Sequence, residues 1–240
     1  GVGLRMSIIA GTITEVLVPY ASRKQSLGEV TALEVTVRKV SRYISLIAAL
    51  VGGLLIVWMK ELLSAWISPQ YAEEISFFFC VIILAYGILS LSRPAHQTLV
   101  GLGKVKLTSL VYLIASVFML AAVYLLSVRY GLPGAGAANL VMVLLLSMNI
   151  CLYGWFNRGQ AWRRFLSDLV LGVLPLLMAL IIVWMDFTWP HKLIFTAALL
   201  GLVLIVLAKD PDFVTRAKHF VMRIWLSRGG RDNGNGKDER

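Results

Sequence analysis

The sequence predicts an all-α fold, a polytopic transmembrane bundle of about seven spanning helices, and three observations carry that prediction. The first is composition. Of 240 residues, 58% are hydrophobic and 15% charged, and the mean hydropathy is +0.78. A soluble domain carries roughly 45–50% apolar and about 25% charged residues, and at this length its surface-to-volume ratio could not hide the excess. The second is that the apolar residues gather into runs approaching the roughly 20 residues that cross about 30 Å of hydrocarbon. The third is that Lys and Arg alternate between the connections from one side to the other.

Seven runs stand out in order: Gly1–Tyr20, Tyr43–Met59, Ile75–Leu91, Leu107–Val128, Gly134–Phe156, Leu169–Met185 and Leu193–Ala208. The link after the first run, Leu27–Arg42, carries Val30, Leu33, Val37 and Val40 at helical spacing. Its acids Glu29 and Glu34 precede its bases Arg38, Lys39 and Arg42, as the helix dipole favours, so it reads as a helix lying on the membrane surface. Lys60-Glu61 and Glu73-Glu74 bracket a short amphipathic stretch between the second and third runs and are assigned no role. Gly101-Leu102-Gly103-Lys104 reads as a tight turn, because the strand–turn–helix setting of a phosphate cradle is missing. Asn139, Ser147 and Asn149 in the fifth run suit packing, and could also bond between helices or line a cavity. Pro175 introduces a kink in the sixth. The short link from the sixth to the seventh, with Asp186, Trp189 and Pro190, demands a tight helical hairpin. Beyond the bundle (1–208), residues 209–228 read as an amphipathic basic helix on an anionic leaflet. Phe213, Ala217, Phe220, Ile224 and Trp225 share its apolar stripe. Residues 229–240 are polar and glycine-rich and read as disordered.

Orientation follows from the basic residues. Nineteen Lys and Arg fall in one set of connections and the tail, against Arg129, Lys192 and Lys60 in the other set. The positive-inside rule therefore places the tail and the long first link in the cytoplasm. The same distribution explains the net charge of +10 without nucleic acid: the charges sit in short clusters between apolar runs, not along one groove. Trp58, Trp66, Trp155, Trp162, Trp184 and Trp189 fall near run ends, where an indole settles at headgroup depth. The apolar start at Gly1, without Met or a charged leader, reads as the interior of a longer chain.

Candidate chemistry is sparse. No hydrolytic or transferase constellation is visible, so no enzymatic activity is expected, and no cofactor. Cys80 and Cys151 lie inside apolar runs and read as small buried hydrophobes. His96, His191 and His219 are scattered, so no metal site is expected. Arg5 and Glu15 are ionisable residues inside the first run, ten positions apart and thus roughly 15 Å apart on one face. A face bearing Arg5, Thr12 and Glu15 should line a watery cavity or pack on another bundle, with Arg5 as an anion ligand and Glu15 in ion or proton coupling. The competing reading has both side chains snorkelling to the membrane edges.

Four stretches carry a resemblance. Ser92-Arg93-Pro94-Ala95-His96-Gln97-Thr98-Leu99-Val100-Gly101-Leu102-Gly103-Lys104-Val105-Lys106 resembles the cytoplasmic connection of polysaccharide flippases, where a proline-containing helix end leads through a glycine-rich turn into a basic pair. Gly131-Leu132-Pro133-Gly134-Ala135-Gly136-Ala137-Ala138 is similar to the family's outer turn. Pro19-Tyr20-Ala21-Ser22 and Ser68-Pro69-Gln70-Tyr71-Ala72 match two further features, with order and sidedness agreeing across about residues 1–208. The family is that of O-antigen and exopolysaccharide flippases in the multidrug/oligosaccharidyl-lipid/polysaccharide exporter superfamily, which includes lipid II flippases. The resemblance implies the second half of a two-bundle transporter in a bacterial inner membrane, its missing N-terminal half in the same chain. The implied cargo is undecaprenyl-pyrophosphate-linked oligosaccharide, moved from inner to outer leaflet by alternating access for polysaccharide biosynthesis. Arg5 matches a cavity arginine of lipid II flippases, which implies contact with the pyrophosphate; Glu15 has no counterpart. The last two runs resemble a helix pair that forms a lipid-tail groove in some members. The rivals are a drug exporter of the same superfamily, which should carry cavity acids, and a membrane polymerase or ligase, which should carry a large outer loop. A non-catalytic scaffold, which would leave Arg5 unconstrained, is a third.

Overall fold

In the computed structural model, which describes residues 10–156, 161–185 and 188–209, helix follows helix and no strand occurs among the described residues. Gly1–Thr196 forms one compact unit and Ala197–Arg240 a second. After helical residues 10–15 come α1 (Leu17–Ser26) and α2 (Val30–Ile47). A π-helical turn, Ala48–Gly52, joins α2 to α3 (Gly53–Val57), and α4 (Met59–Trp66) follows. Two long helices come next, α5 (Pro69–Gly101) and α6 (Val105–Ala138). A 3₁₀ stretch, Asn139–Leu146, leads into α7 (Ser147–Phe156), and α8 (Ala161–Trp184) and α9 (Trp189–Ala208) complete the order. The second unit's described residues continue α9.

Among the described residues, four helical stretches are long and apolar enough to cross a membrane, as an all-α membrane protein requires: Val30–Val57, Pro69–Gly101, Val105–Phe156 and Trp189–Ala208. Leu169–Trp184 is a shorter apolar helix. The 52-residue stretch is not straight. Gly131 breaks it with φ 62° and ψ −140°, a backbone that L side chains rarely adopt, and Pro133 opens the second arm. The chain has turned back by Gly134, where a Cβ would stand 2.0 Å from the Leu126 carbonyl oxygen. The corner therefore lies where the glycine-rich sequence predicts it.

α5 is the central element. Two-thirds of its most apolar window (67%) is buried, against 6% of the corresponding window in Val105–Phe156. Around α5 are two apolar clusters. One joins Ile56, Val57 and Leu63 to Cys80, Ile83, Leu176 and Ala179. The other joins Leu17, Ala21, Leu33 and Val37 to Leu99, Met148 and Leu152. Lipid tails are as apolar as Leu, so close packing and small residues must hold such helices together.

Two expectations about boundaries change. The apolar stripe of the link helix is covered by protein: Leu33 and Val37 are fully buried in the second cluster, and the helix runs on towards Val57 with only the π turn between. Periodicity reveals an apolar stripe but not what covers it. The connection after the third run is also shorter than the sequence suggests, because α5 stays helical through Pro94 to Gly101. There the end is sharp. Gly103 has φ +72°, its N–H donates to the Val100 carbonyl (2.9 Å) and the Lys104 N–H to Leu99 (2.9 Å), a Schellman close. At the other end of α5, Ser68 caps the helix and Pro69 occupies its first position, where no helical N–H is needed. The amphipathic stretch between Glu61 and Glu73 is α4, which buries Met59 and Leu63 and exposes Leu62 and Trp66. The expected helix over 209–228 and tail over 229–240 lie outside the described residues, save Lys209.

Candidate functional site

Of the two site residues that sequence singled out, the structure describes one. Arg5 lies outside the described residues. Glu15 sits on helical residues 10–15 and is exposed, as is Thr12 on the same side. The buried side of that helix presents Ala10, Thr14 and Leu17 instead, and the Thr14 hydroxyl donates to the carbonyls of Ala10 (2.8 Å) and Gly11 (2.9 Å). The Glu15 carboxylate thus points away from the helices packed against α1.

A polar cluster not foreseen in sequence forms at one end of the first unit. Lys192 reaches back from α9 to Glu61 on α4, Nζ to Oε1 2.5 Å, with side-chain exposures of 11% and 27%. Lys60 pairs with Glu73 at 2.8 Å in the open. Trp58 seals the inner edge: its Nε1–H donates to Thr196 Oγ1 (3.2 Å), and its ring meets Trp189 edge-on at 5.0 Å. Beside these pairs lies a cleft of about 240 Å³, lined by Lys60, Glu73, Ser76, Phe77, Trp184 and Lys192 among others. An exposed pair such as Lys60–Glu73 contributes little, because water screens it. The Lys192–Glu61 pair differs, because stripping one partner leaves the other charge poorly solvated. The cluster ties α4 to α5 and α9, and contains no nucleophile–base arrangement.

A second polar seam follows the interior of α5. Pro94 has no N–H, so the Ser90 carbonyl loses its helical donor there. Nearby hydroxyls bond within the helix, Ser90 to Tyr86, Ser92 to Leu89 and Thr98 to Pro94, at 2.7–2.8 Å. Asn149 Nδ2 crosses from α7 to donate to the Leu91 carbonyl (3.3 Å), so its role is interhelical bonding. Asn139 instead bonds the Ala135 and Gly136 carbonyls of its own turn. His96 stacks edge-on against Tyr112 at 5.0 Å, its Nδ1 without a hydrogen-bond partner among the described residues.

At the opposite end from Trp58, Lys104 Nζ lies 5.5 Å from the Trp155 ring centre, and Lys24 pairs with Glu29 and stands over Tyr20. Tyr20 Oη and Thr36 Oγ1 share a hydrogen bond of 3.0 Å that holds α1 on α2. Cys80 is buried and its thiol donates to the Ile56 carbonyl (3.5 Å); Cys151, against expectation, is exposed. Among the described residues no three His, Cys, Asp or Glu side chains come together as a metal set.

No family model, curated protein or solved structure matches the chain.

Proposed function

We propose that this chain is the second bundle of a transporter that flips undecaprenyl-pyrophosphate-linked oligosaccharide from the inner to the outer leaflet of a bacterial cytoplasmic membrane. In this reading the bundle has about seven spans and the C-terminus is cytoplasmic. One observation carries the reading: three of the four stretches that resemble polysaccharide flippases fall, in order, on helix ends and corners, while the remaining one, Pro19–Ser22, lies within a helix. Pro19–Ser22 lies in α1 before the long link, and Ser68–Ala72 opens α5. Ser92 to Lys106 is the last part of α5, helical to Gly101, and its glycine turn, and Gly131–Ala138 is the corner of α6. Turn residues placed where chain reversals need them are a stronger agreement than the same letters scattered through helices.

The mechanism is alternating access. The headgroup enters a cavity between two bundles while the lipid tail stays in the bilayer, and no bond is made or broken. Arg5 would grip the pyrophosphate, for which a guanidinium offers two parallel donors. Glu15, a carboxylate exposed on a helix otherwise suited to hydrocarbon, fits a second polar surface and ion coupling. The basic balance of the chain favours an anionic cargo over the cations of a drug exporter.

The test uses the full-length gene in bacteria depleted of their own polysaccharide flippase, with wild type and Arg5→Ala at matched membrane levels. Surface polymer and lipid-linked oligosaccharide held on the cytoplasmic leaflet are both measured. Wild type clearing the trapped lipid while Arg5→Ala does not is the expected result. Wild type clearing none, across hosts with different sugar units, would overturn the assignment.

A further inference from the structure

Several buried and half-buried Ser and Thr hydroxyls bond inside their own helices. Thr14, Thr36, Ser64, Ser90, Thr98 and Thr196 each donate to the carbonyl four residues back, at 2.7–3.0 Å. Helical Ser and Thr do this wherever nothing better is offered. Ser41 departs from the pattern. It lies within α2, is 5% exposed, and its Oγ has no hydrogen-bond partner among the described residues, although the Val37 carbonyl lies one turn behind it.

Ser41 lines a cavity of about 10 Å³ with Ser45, Asn149, Tyr153 and three leucines. Ser45, Asn149 and Tyr153 are themselves 2%, 5% and 3% exposed, so the polar lining is buried among the helices. A water molecule needs about one probe sphere of room and two to four polar partners. A divalent cation wants about six or more oxygens and usually a carboxylate, and no acidic side chain is among the described residues of this lining. The size and the neutral hydroxyl and amide groups fit one small, uncharged hydrogen-bonding ligand.

We propose that this cavity binds a single water molecule, which bridges Ser41 Oγ to Asn149. The bridge links α2 to α7 and, through the Asn149 bond to the Leu91 carbonyl, to α5 three residues before Pro94. A water can exchange partners as helices shift, so the three helices share a polar contact that survives small movements where the ladder of α5 is already interrupted. The proposal concerns the packing of this unit and stands without the transport reading.

Two measurements test it. A structure of the full-length protein in lipid nanodiscs, at a resolution that shows ordered water, should carry a peak roughly 2.6–3.2 Å from Ser41 Oγ and from the Asn149 amide. A Ser41 hydroxyl bonded to the Val37 carbonyl, with no such peak, would overturn the proposal. The second is the unfolding temperature of Ser41→Ala. Removing a hydroxyl that holds a water lowers it, whereas removing an orphaned buried hydroxyl raises it. A rise, or no change, counts against the water.

Discussion

Gly101, the last residue of α5, packs directly on the Val18 carbonyl of α1. A Cβ at position 101 would stand 2.4 Å from that oxygen and 2.9 Å from the Ala21 Cβ. Backbone cannot swing aside as a flexible side chain can, so Gly101→Ala must push α1 away from α5. We expect a loss of about 1–3 kcal/mol, the usual penalty for overpacking. Gly103→Ala meets no neighbour within 4 Å but carries φ +72°, and should lose about 1–2 kcal/mol through backbone strain alone. Gly11→Ala, with open space around it, should change little. Unfolding temperatures of the three purified variants in one detergent check the ranking.

That turn also shows what sequence makes legible. Gly101 to Lys104 can be read as a tight turn because its bonds are local: the Schellman pair closes within six residues. The Gly131 corner is legible for the same reason. Composition and run length declare the helices, since each helix satisfies its own backbone. Long-range partners leave no such trace. Lys192 and Glu61 are 131 positions apart, and each reads alone as an interfacial charge. The stripe of Leu33 and Val37 announces a buried face, yet lipid and a neighbouring helix are equally apolar covers. Glu15 is the reverse case, a residue conspicuous in sequence that the described helices leave exposed.

Removing Lys192 should harm the protein more than removing Lys60. Lys192→Met leaves the Glu61 carboxylate with Oε2 already unpartnered among the described residues, and strands it at 27% exposure. A fully buried stranded charge costs about 3–5 kcal/mol; partial exposure lowers the expectation to about 2 kcal/mol. Lys60→Met, in a pair that is 43% and 75% exposed, should cost much less, because water screens that pair. Pairing Lys192→Met with Glu61→Gln should recover part of the loss. A thermal double-mutant cycle reads the coupling, and a cycle that sums to zero would show the two residues to be independent.

Asn149→Leu removes the amide that crosses to the Leu91 carbonyl. Interhelical hydrogen bonds of this kind contribute about 0.6–2 kcal/mol, and leucine adds volume beside a cavity of about 10 Å³. We expect the upper part of that range. Asn139→Leu should cost less, because Asn139 bonds only the carbonyls of its own turn. Chemical-denaturant or thermal unfolding of both variants in matched micelles provides the comparison, and equal losses would mean that the crossing bond adds nothing.

The 33 residues of α5 span roughly 50 Å at 1.5 Å per residue, well beyond about 30 Å of hydrocarbon, so both ends should project from the membrane. Its first turn neighbours the Lys60–Glu73 pair, and its last turn contacts α1 through Gly101. In the proposed orientation, taken from the basic residues, the first end lies outside and the second in the cytoplasm. With Cys80 and Cys151 replaced by serine or alanine, Gln70→Cys should react with a membrane-impermeant maleimide in intact cells whose outer barrier has been opened. Gln25→Cys, exposed at the end of α1, should react only after lysis. The reverse pattern would invert the assigned orientation. Labelling of both from one side would mean that α5 does not cross, and the count of spans would fall with it.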